Sequence, residues 1–200
     1  MEKSRPVRFP IEWLLPIIII VLLFTLYPVA YNLWTSVHRV ILILPTEPFT
    51  GLGNYIDVVQ SYYFWEALNH TFWLAVVSAP LIVMIGLAVA RLLGLRFHGR
   101  AIVRSVVILP WVLPGTVAGV MWLWVFHDTW GFLNLALTEL GVINDPIPFL
   151  QDPWLARLAV LIGHVWMQVP FATILLMAAL GTINPELYEA AQIDGATGWE

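Results

Sequence analysis

Four long apolar runs constrain what this chain can fold into more than any other feature of its sequence. They cover residues 13–34, 72–93, 106–126 and 158–180. A helix needs about 20 consecutive apolar residues to cross about 30 Å of hydrocarbon, and each run reaches that length. The whole chain is 60% hydrophobic and 11% charged, whereas a soluble domain carries about 25% charged residues. The sequence therefore predicts an all-α, polytopic membrane protein with four transmembrane helices.

Several kinds of site are excluded because the residues they need are missing or scattered. The chain has no cysteine, which rules out a disulfide framework and a thiolate metal site. Its single lysine, Lys3, does not stand in a G-x-x-x-x-G-K-[ST] phosphate loop. The five histidines show no clustered ligand spacing, and the neighbours His127 and Asp128 are interpreted as an interfacial pair. We therefore expect no catalytic residue, no metal and no bound cofactor, and the net charge of −4 predicts no nucleic-acid partner.

The basic residues predict the orientation of the spans. Positively charged segments are retained on the cytoplasmic side of a membrane during insertion. Most of the basic residues lie before the first run or around the connection between the second and third: Lys3, Arg5, Arg8, Arg91, Arg96, Arg100 and Arg104. This distribution places the N-terminus and the stretch after the fourth run in the cytoplasm, and Asp57 and Asp145 outside. The four-residue spacing of the last three arginines favours contact with anionic lipid headgroups.

A short helix is predicted after the fourth run, over residues 185–193. Asn184 is a good N-cap, and proline suits the first helical position. Glu186 and Glu189 follow in the first turns, where the positive end of the helix dipole favours carboxylates. The helix is expected to end at Asp194-Gly195, because glycine permits the left-handed turn that closes a helix.

The same stretch carries a family resemblance. Glu189-Ala190-Ala191, then three residues, then Gly195 resembles the EAA loop of the membrane permeases of ATP-binding-cassette importers in bacteria and archaea. "GLGNYIDVV", "RSVVILPWVLP" and "WLWVFHDTWGFLN" look like the sugar permeases related to the larger maltose permease subunit. The resemblance implies a transmembrane domain over residues 1–200 with a core from about residue 69, and a chain truncated from a permease of about six helices.

This resemblance implies a function in sugar import across the plasma membrane. The helix would be a coupling helix seated in an ATPase subunit, through Glu186, Leu187, Tyr188, Glu189, Ala190, Ala191, Asp194 and Gly195. The expected partners are a second, different permease, two ATPase subunits that bind ATP and Mg²⁺, an extracytoplasmic solute-binding protein and membrane lipid. The chain itself would be a transport subunit and not an enzyme. Import of glycerol phosphate or another non-sugar solute, and an uncoupled scaffold or channel, remain the alternatives.

Polar residues inside the fourth run are candidates for a sugar path. His164 and Gln168 are four residues apart, so they share one helix face, and we expect that face to point into the bundle. Trp166 and Trp111 could stack on a sugar ring. The alternative is ordinary hydrogen bonding between helices, which is common in membrane bundles. Four prolines are expected to kink their spans: Pro80, Pro110, Pro114 and Pro170.

Overall fold

The computed structural model describes residues 14–41, 48–95 and 97–196. Within them the chain is helical, and extended backbone pairs at one isolated antiparallel bridge between His38 and Phe49. The helices are α1 (Leu15–Val21), α2 (Tyr27–Ser36), α3 (Gly53–Gln60), α4 (Tyr62–Gly94), α5 (Arg100–Val112), α6 (Gly115–Val125), α7 (Phe132–Glu139), α8 (Pro153–Gly181) and α9 (Pro185–Ile193), and a π-helical turn, Leu22–Leu26, joins α1 to α2. Several sequence predictions concern positions outside the described residues, namely Trp13, Lys3, Arg5, Arg8, Arg96 and Glu200.

Three of the four predicted spans are confirmed as continuous apolar helices. Leu15–Ser36, Tyr62–Gly94 and Pro153–Gly181 are each long and apolar enough to cross a membrane. The last of these begins five residues before the apolar run, at a defined N-cap. The Asp152 carboxylate accepts hydrogen bonds from the backbone N–H groups of Trp154 and Leu155, at 2.9 and 2.8 Å. This cap satisfies backbone groups that have no partner inside the helix.

The third predicted span, residues 106–126, is broken at the predicted Pro114 kink and is not one continuous helix. It is divided between α5 and α6, which are bent by 100° at residues 113–114. Leu113 and Pro114 both have extended backbone, with ψ of 136°. A proline ring disfavours helical backbone at the residue before it and removes one helical hydrogen bond, which explains the break. The described residues thus contain three helices that are long and apolar enough to cross a membrane, or four candidate spans if the bent pair counts as one.

The other three prolines lie inside helices. Pro80, Pro110 and Pro170 are interior residues of α4, α5 and α8. Pro170 is among the most completely buried residues of the described chain. A proline at these positions removes one backbone donor, and neighbouring helices make such a loss tolerable in a membrane. Of the four predicted kinks, the one at Pro114 is therefore the only site where a helix actually ends.

The chain divides into two compact units, Met1–His70 and Thr71–Glu200. The core of the second unit is a stripe on α8 formed by Leu161, Val165 and Val169, with Trp73 and Val77 of α4 packed against it. The stripe residues recur every four positions, so they share one helix face. Packing in a bilayer depends on such close contact, because lipid tails are as apolar as the side chains. The second unit is thus assembled around α8.

Candidate functional site

Helix α9 has the predicted bounds, Pro185–Ile193, and begins at the predicted cap. The Asn184 side-chain oxygen accepts a hydrogen bond from the Glu186 backbone N–H at 3.1 Å. The Asn184 amide also donates to the Glu186 carboxylate at 3.1 Å. Both interactions hold the first turn closed, and the carboxylate lies where the helix dipole favours it.

The other end of α9 closes in a glycine-dependent turn. Gly195 has φ of +82°. Its N–H donates to the Gln192 carbonyl at 3.2 Å, and the Ala196 N–H donates to the Ala191 carbonyl at 2.9 Å. These two bonds form a Schellman motif, which requires left-handed backbone at the glycine. The sequence prediction of a helix end at Asp194-Gly195 is confirmed.

The side chains of α9 from residue 186 to residue 193 are all exposed. Leu187, Tyr188 and Ile193 are 63%, 52% and 86% exposed, although large apolar side chains are normally buried. Ala190 and Ala191 are small and exposed between the larger side chains. A short helix with a small tip and apolar anchors is suited to a partner groove.

Tyr188 of α9 lies near the ends of three other helices. It lines a cavity of about 900 Å³ together with Arg91 of α4 and Arg100 of α5. Leu180 and Gly181, at the end of α8, line the same cavity. Tyr188 of α9 thus borders the same cavity as the ends of α4, α5 and α8.

The four candidate path residues do not share one cavity. His164 lines a cavity of about 330 Å³ between α6 and α8. Trp166 lines another of about 500 Å³, with walls from α4, α5 and α8. Trp111 stacks on Phe171 with ring centroids 5.6 Å apart, and Gln168 is exposed. The expectation that His164 and Gln168 both point into the bundle is therefore wrong for Gln168 within this chain, since Gln168 lies at its surface.

Trp122 is a candidate path residue that the sequence interpretation missed. It lines the same cavity as His164, and its ring lies over Gly163, where an added Cβ would be 3.2 Å from the indole. Its ring centroid is 5.4 Å from that of Phe126 and 5.5 Å from that of Trp166. The Trp122 Nε1 is buried without a hydrogen-bond partner. The cavity thus combines aromatic faces with an imidazole and falls within the size range of small-ligand pockets.

Asn134 is the second residue that sequence analysis missed, and it organises the segment between α6 and α8. Its amide nitrogen donates to the carbonyls of Asp128 and Ile147, both at 2.9 Å. Its oxygen accepts from the Ile147 N–H at 2.9 Å. The Asp128 carboxylate accepts a hydrogen bond from the Leu150 N–H at 2.9 Å. In the predicted interfacial pair His127-Asp128, the aspartate therefore helps to hold this segment together. The sequence signal for this role would have been the polar Asn134 in the first turn of the otherwise mostly apolar helix α7.

Comparison with known proteins assigns the family. The profile of the family described as "Binding-protein-dependent transport system inner membrane component" matches residues 82–200. This chain belongs to that family. The membership and the apolar helices together place the chain in a membrane.

Two curated relatives are sugar permeases. The chain is 36% identical over 198 residues to the trehalose/maltose transport system permease protein MalF of Thermococcus litoralis, covering 99% of this chain and 66% of the relative. It is 34% identical over 177 residues to the trehalose transport system permease protein SugA of Mycobacterium tuberculosis, covering 88% of this chain and 55% of the relative. The chain thus spans about 55–66% of the length of these relatives.

A solved structure has the same fold. A bacterial ABC transporter involved in the import of the acidic polysaccharide alginate matches with a TM-score of 0.77 and 27% identity, over 94% of this chain and 63% of that one. The same TM-score of 0.77 is found for a bacterial alginate transporter in complex with an alginate pentasaccharide-bound periplasmic protein, at 26% identity. The predicted all-α permease fold is therefore confirmed.

Proposed function

We propose that this chain is part of the permease subunit of an ATP-driven importer that carries a sugar across the plasma membrane. Family membership supports the transport role. The named substrates of the relatives, trehalose, maltose and alginate, support a carbohydrate. In this proposal residues 1–200 belong to one transmembrane domain, with its permease core from about residue 69. The chain is a transport subunit, and hydrolysis of ATP with Mg²⁺ takes place in separate ATPase chains.

The observation that carries the coupling proposal is the exposed, doubly capped helix α9. Its motif residues Glu189, Ala190 and Ala191 are exposed, and its end is fixed by the positive φ of Gly195. A rigid helix transmits a displacement, whereas a flexible linker of the same length would absorb it. We infer that Glu186, Leu187, Tyr188 and Asp194 complete the surface that contacts the ATPase.

The remaining partners follow from the same proposal. A solute-binding protein delivers the sugar at the outer face, and the complex of the related alginate transporter with a periplasmic protein supports this step. A second, different permease covers the exposed faces of this one, including Gln168. His164, Trp166 and Trp111 then contribute to a path between the two permeases, with Trp122 beside His164. The N-terminus lies in the cytoplasm.

The conformation of Gly195 allows a sharp test of coupling. Nothing lies within 4 Å of a Cβ added at this glycine, so a substitution acts through backbone conformation and not through a clash inside this chain. Asparagine tolerates left-handed backbone, whereas a β-branched residue does not. We expect Gly195→Val to abolish transport and the co-purification of the ATPase, while Gly195→Asn retains both.

The measurements are ATPase co-purification and sugar-stimulated ATP hydrolysis in the full complex. Ala190→Trp, which enlarges the small tip of α9, should fail in both assays while the protein still inserts into the membrane. Undiminished ATPase binding and stimulated hydrolysis in Gly195→Val would show that α9 is a solvated linker and would refute its coupling role.

A further inference from the structure

Helix α3 is attached to the end of α2 through its polar face. The Asn54 side-chain amide donates to the carbonyls of Ser36 and His38, both at 2.9 Å. Asp57 pairs with Arg39 at 3.3 Å. These contacts supply partners to carbonyls at the end of α2, where the helix itself provides none. The polar side of α3 thus contacts its own chain.

The opposite side of α3 is apolar and uncovered. Ile56 and Val59 of α3 and Leu52, the residue directly before it, are all exposed, and their spacing of three and four residues places them on one side of the helix. Soluble amphipathic helices usually bury this face and expose the polar one. Helix α3 therefore has inverted amphipathicity, which suits an apolar medium outside the protein.

The aromatic residues that follow α3 extend this exposed face. Tyr62, Tyr63 and Trp65 begin α4 and are all exposed. The Trp65 indole N–H donates to the Val59 carbonyl at 2.7 Å, which fixes the corner between the two helices. Tyrosine and tryptophan are enriched where a membrane meets water, because their rings are apolar and their polar tips need a wet neighbour.

The position of α3 along the chain restricts where it can lie. The candidate span Leu15–Ser36 ends before it, and the candidate span Tyr62–Gly94 begins two residues after it. Ser61 between α3 and α4 is extended, with ψ of 127°, so α3 is a separate element and not the first turn of the span. Helix α3 is thus a separate short helix between the first two candidate spans.

We propose that α3 is an interfacial helix whose apolar face, Leu52, Ile56 and Val59, is seated in the bilayer at the boundary between headgroups and acyl chains. Lipid fits this face better than a second permease does, because helix contacts between membrane proteins favour small residues and this face has none. The helix would anchor the connection between the first two spans in the plane of the membrane. The inference does not depend on which solute is transported.

The absence of cysteine from the sequence allows a direct test with single spin labels. Ile56 and Val58 are matched sites, since both are aliphatic, they are 53% and 48% exposed, and helical geometry directs them to nearly opposite sides of α3. Ile56→Cys and Val58→Cys are labelled with a nitroxide in the full permease complex in lipid nanodiscs. Collision rates with oxygen, which concentrates in lipid, and with a water-soluble nickel chelate are then measured by electron paramagnetic resonance.

A bilayer-seated face predicts a several-fold higher oxygen-to-nickel collision ratio at residue 56 than at residue 58. The label at residue 56 should lie about 5–10 Å below the headgroup level, as for other interfacial helices. Equal, nickel-accessible labels at both positions would mean that α3 is solvated. A label at residue 56 that is immobile and protected from both reagents would mean that protein covers this face. Either result would overturn the proposal.

Discussion

At Gly131 the backbone leaves no room for a side chain. An added Cβ would lie 2.6 Å from the His127 nitrogen and 2.9 Å from the Val125 carbonyl oxygen, and it would also overlap the His127 carbonyl. The Gly131 N–H donates to that carbonyl at 3.1 Å. This close approach lets the chain reverse directly after α6 and places α7 where Asn134 can reach its partners.

We expect Gly131→Ala to lower the free energy of unfolding by about 1–3 kcal/mol, the usual cost of forcing extra volume into a packed site. Gly119→Ala is the matched control, because nothing lies within 4 Å of its added Cβ and alanine favours helix by about 1 kcal/mol over glycine. Thermal unfolding of both purified variants measures the difference. Equal melting temperatures would contradict the tight reversal at Gly131.

Gln168 tests the proposed path, because its exposed position on α8 leaves its amide free to meet a solute at the contact with a second permease. Gln168→Leu removes the amide and retains similar volume. If the amide binds a sugar hydroxyl, kcat/KM for uptake should fall about two- to tenfold, the equivalent of one hydrogen bond, while the complex assembles normally. Unchanged uptake kinetics in a normally assembled complex would exclude Gln168 from the path.

Among the helices, those with local end signals are predicted most accurately from the sequence. Asn184 and Gly195 define both ends of α9, so its bounds follow from the sequence alone. The predicted start of α8 is five residues too late, because Arg157 ends the apolar run while the helix continues beyond it. The N-cap residue Asp152 is a local signal for the true start of the helix. The predicted start of α4, residue 72, is also too late, because α4 begins at Tyr62. The polar residues Glu66 and Asn69 end the apolar run, but the helix continues through them.

Pro114 predicts a kink between α5 and α6, but the size of the bend could not be derived in this way. The same holds for the contacts of Trp122 and Asn134. Apolar composition continues through residues 113–114, so a hydrophobic run cannot reveal a change of direction. Both side chains depend on residues distant in sequence, such as Ile147 for Asn134. Such contacts arise from packing, and packing is not encoded in the periodicity of one helix.

The bend can be measured as a distance. Spin labels at Ile102 and Trp124 would be about 33 Å apart along a straight helix of 1.5 Å per residue, and we expect about 20 Å across the bend. Labels at Val160 and Leu175 flank Pro170 inside the continuous α8 and should be about 22 Å apart, as in a straight helix. Double electron–electron resonance resolves these distances. A separation near 33 Å for the first pair would mean that α5 and α6 form one straight span.

For the whole molecule, chemical labelling tests on which side of the membrane each connection lies. Single cysteines replace His98, beside Arg100, and Asp57, Asp145 and Glu189. With an impermeant reagent in intact cells, we expect labelling at residues 57 and 145 and protection at 98 and 189, because arginine-rich segments stay in the cytoplasm.

The same experiment distinguishes a bent span from a re-entrant loop. If α5 and α6 entered and left on one side, residue 145 would be protected like residue 98, and residue 189 would become labelled. That pattern would move α9 away from the cytoplasm and exclude its contact with an ATPase. Labelling at residue 98 together with protection at residue 57 would invert the predicted orientation.

The bend between α5 and α6 also has a consequence for the lipid around the protein. Helices of 13 and 11 residues are roughly 20 and 17 Å long, and with a 100° turn between them their far ends are only about 24 Å apart. The hydrocarbon layer is about 30 Å thick. If this pair crosses the membrane as one span, the two leaflets beside it must approach each other or admit water. A solute that crosses there would meet a thinner barrier than elsewhere in the membrane.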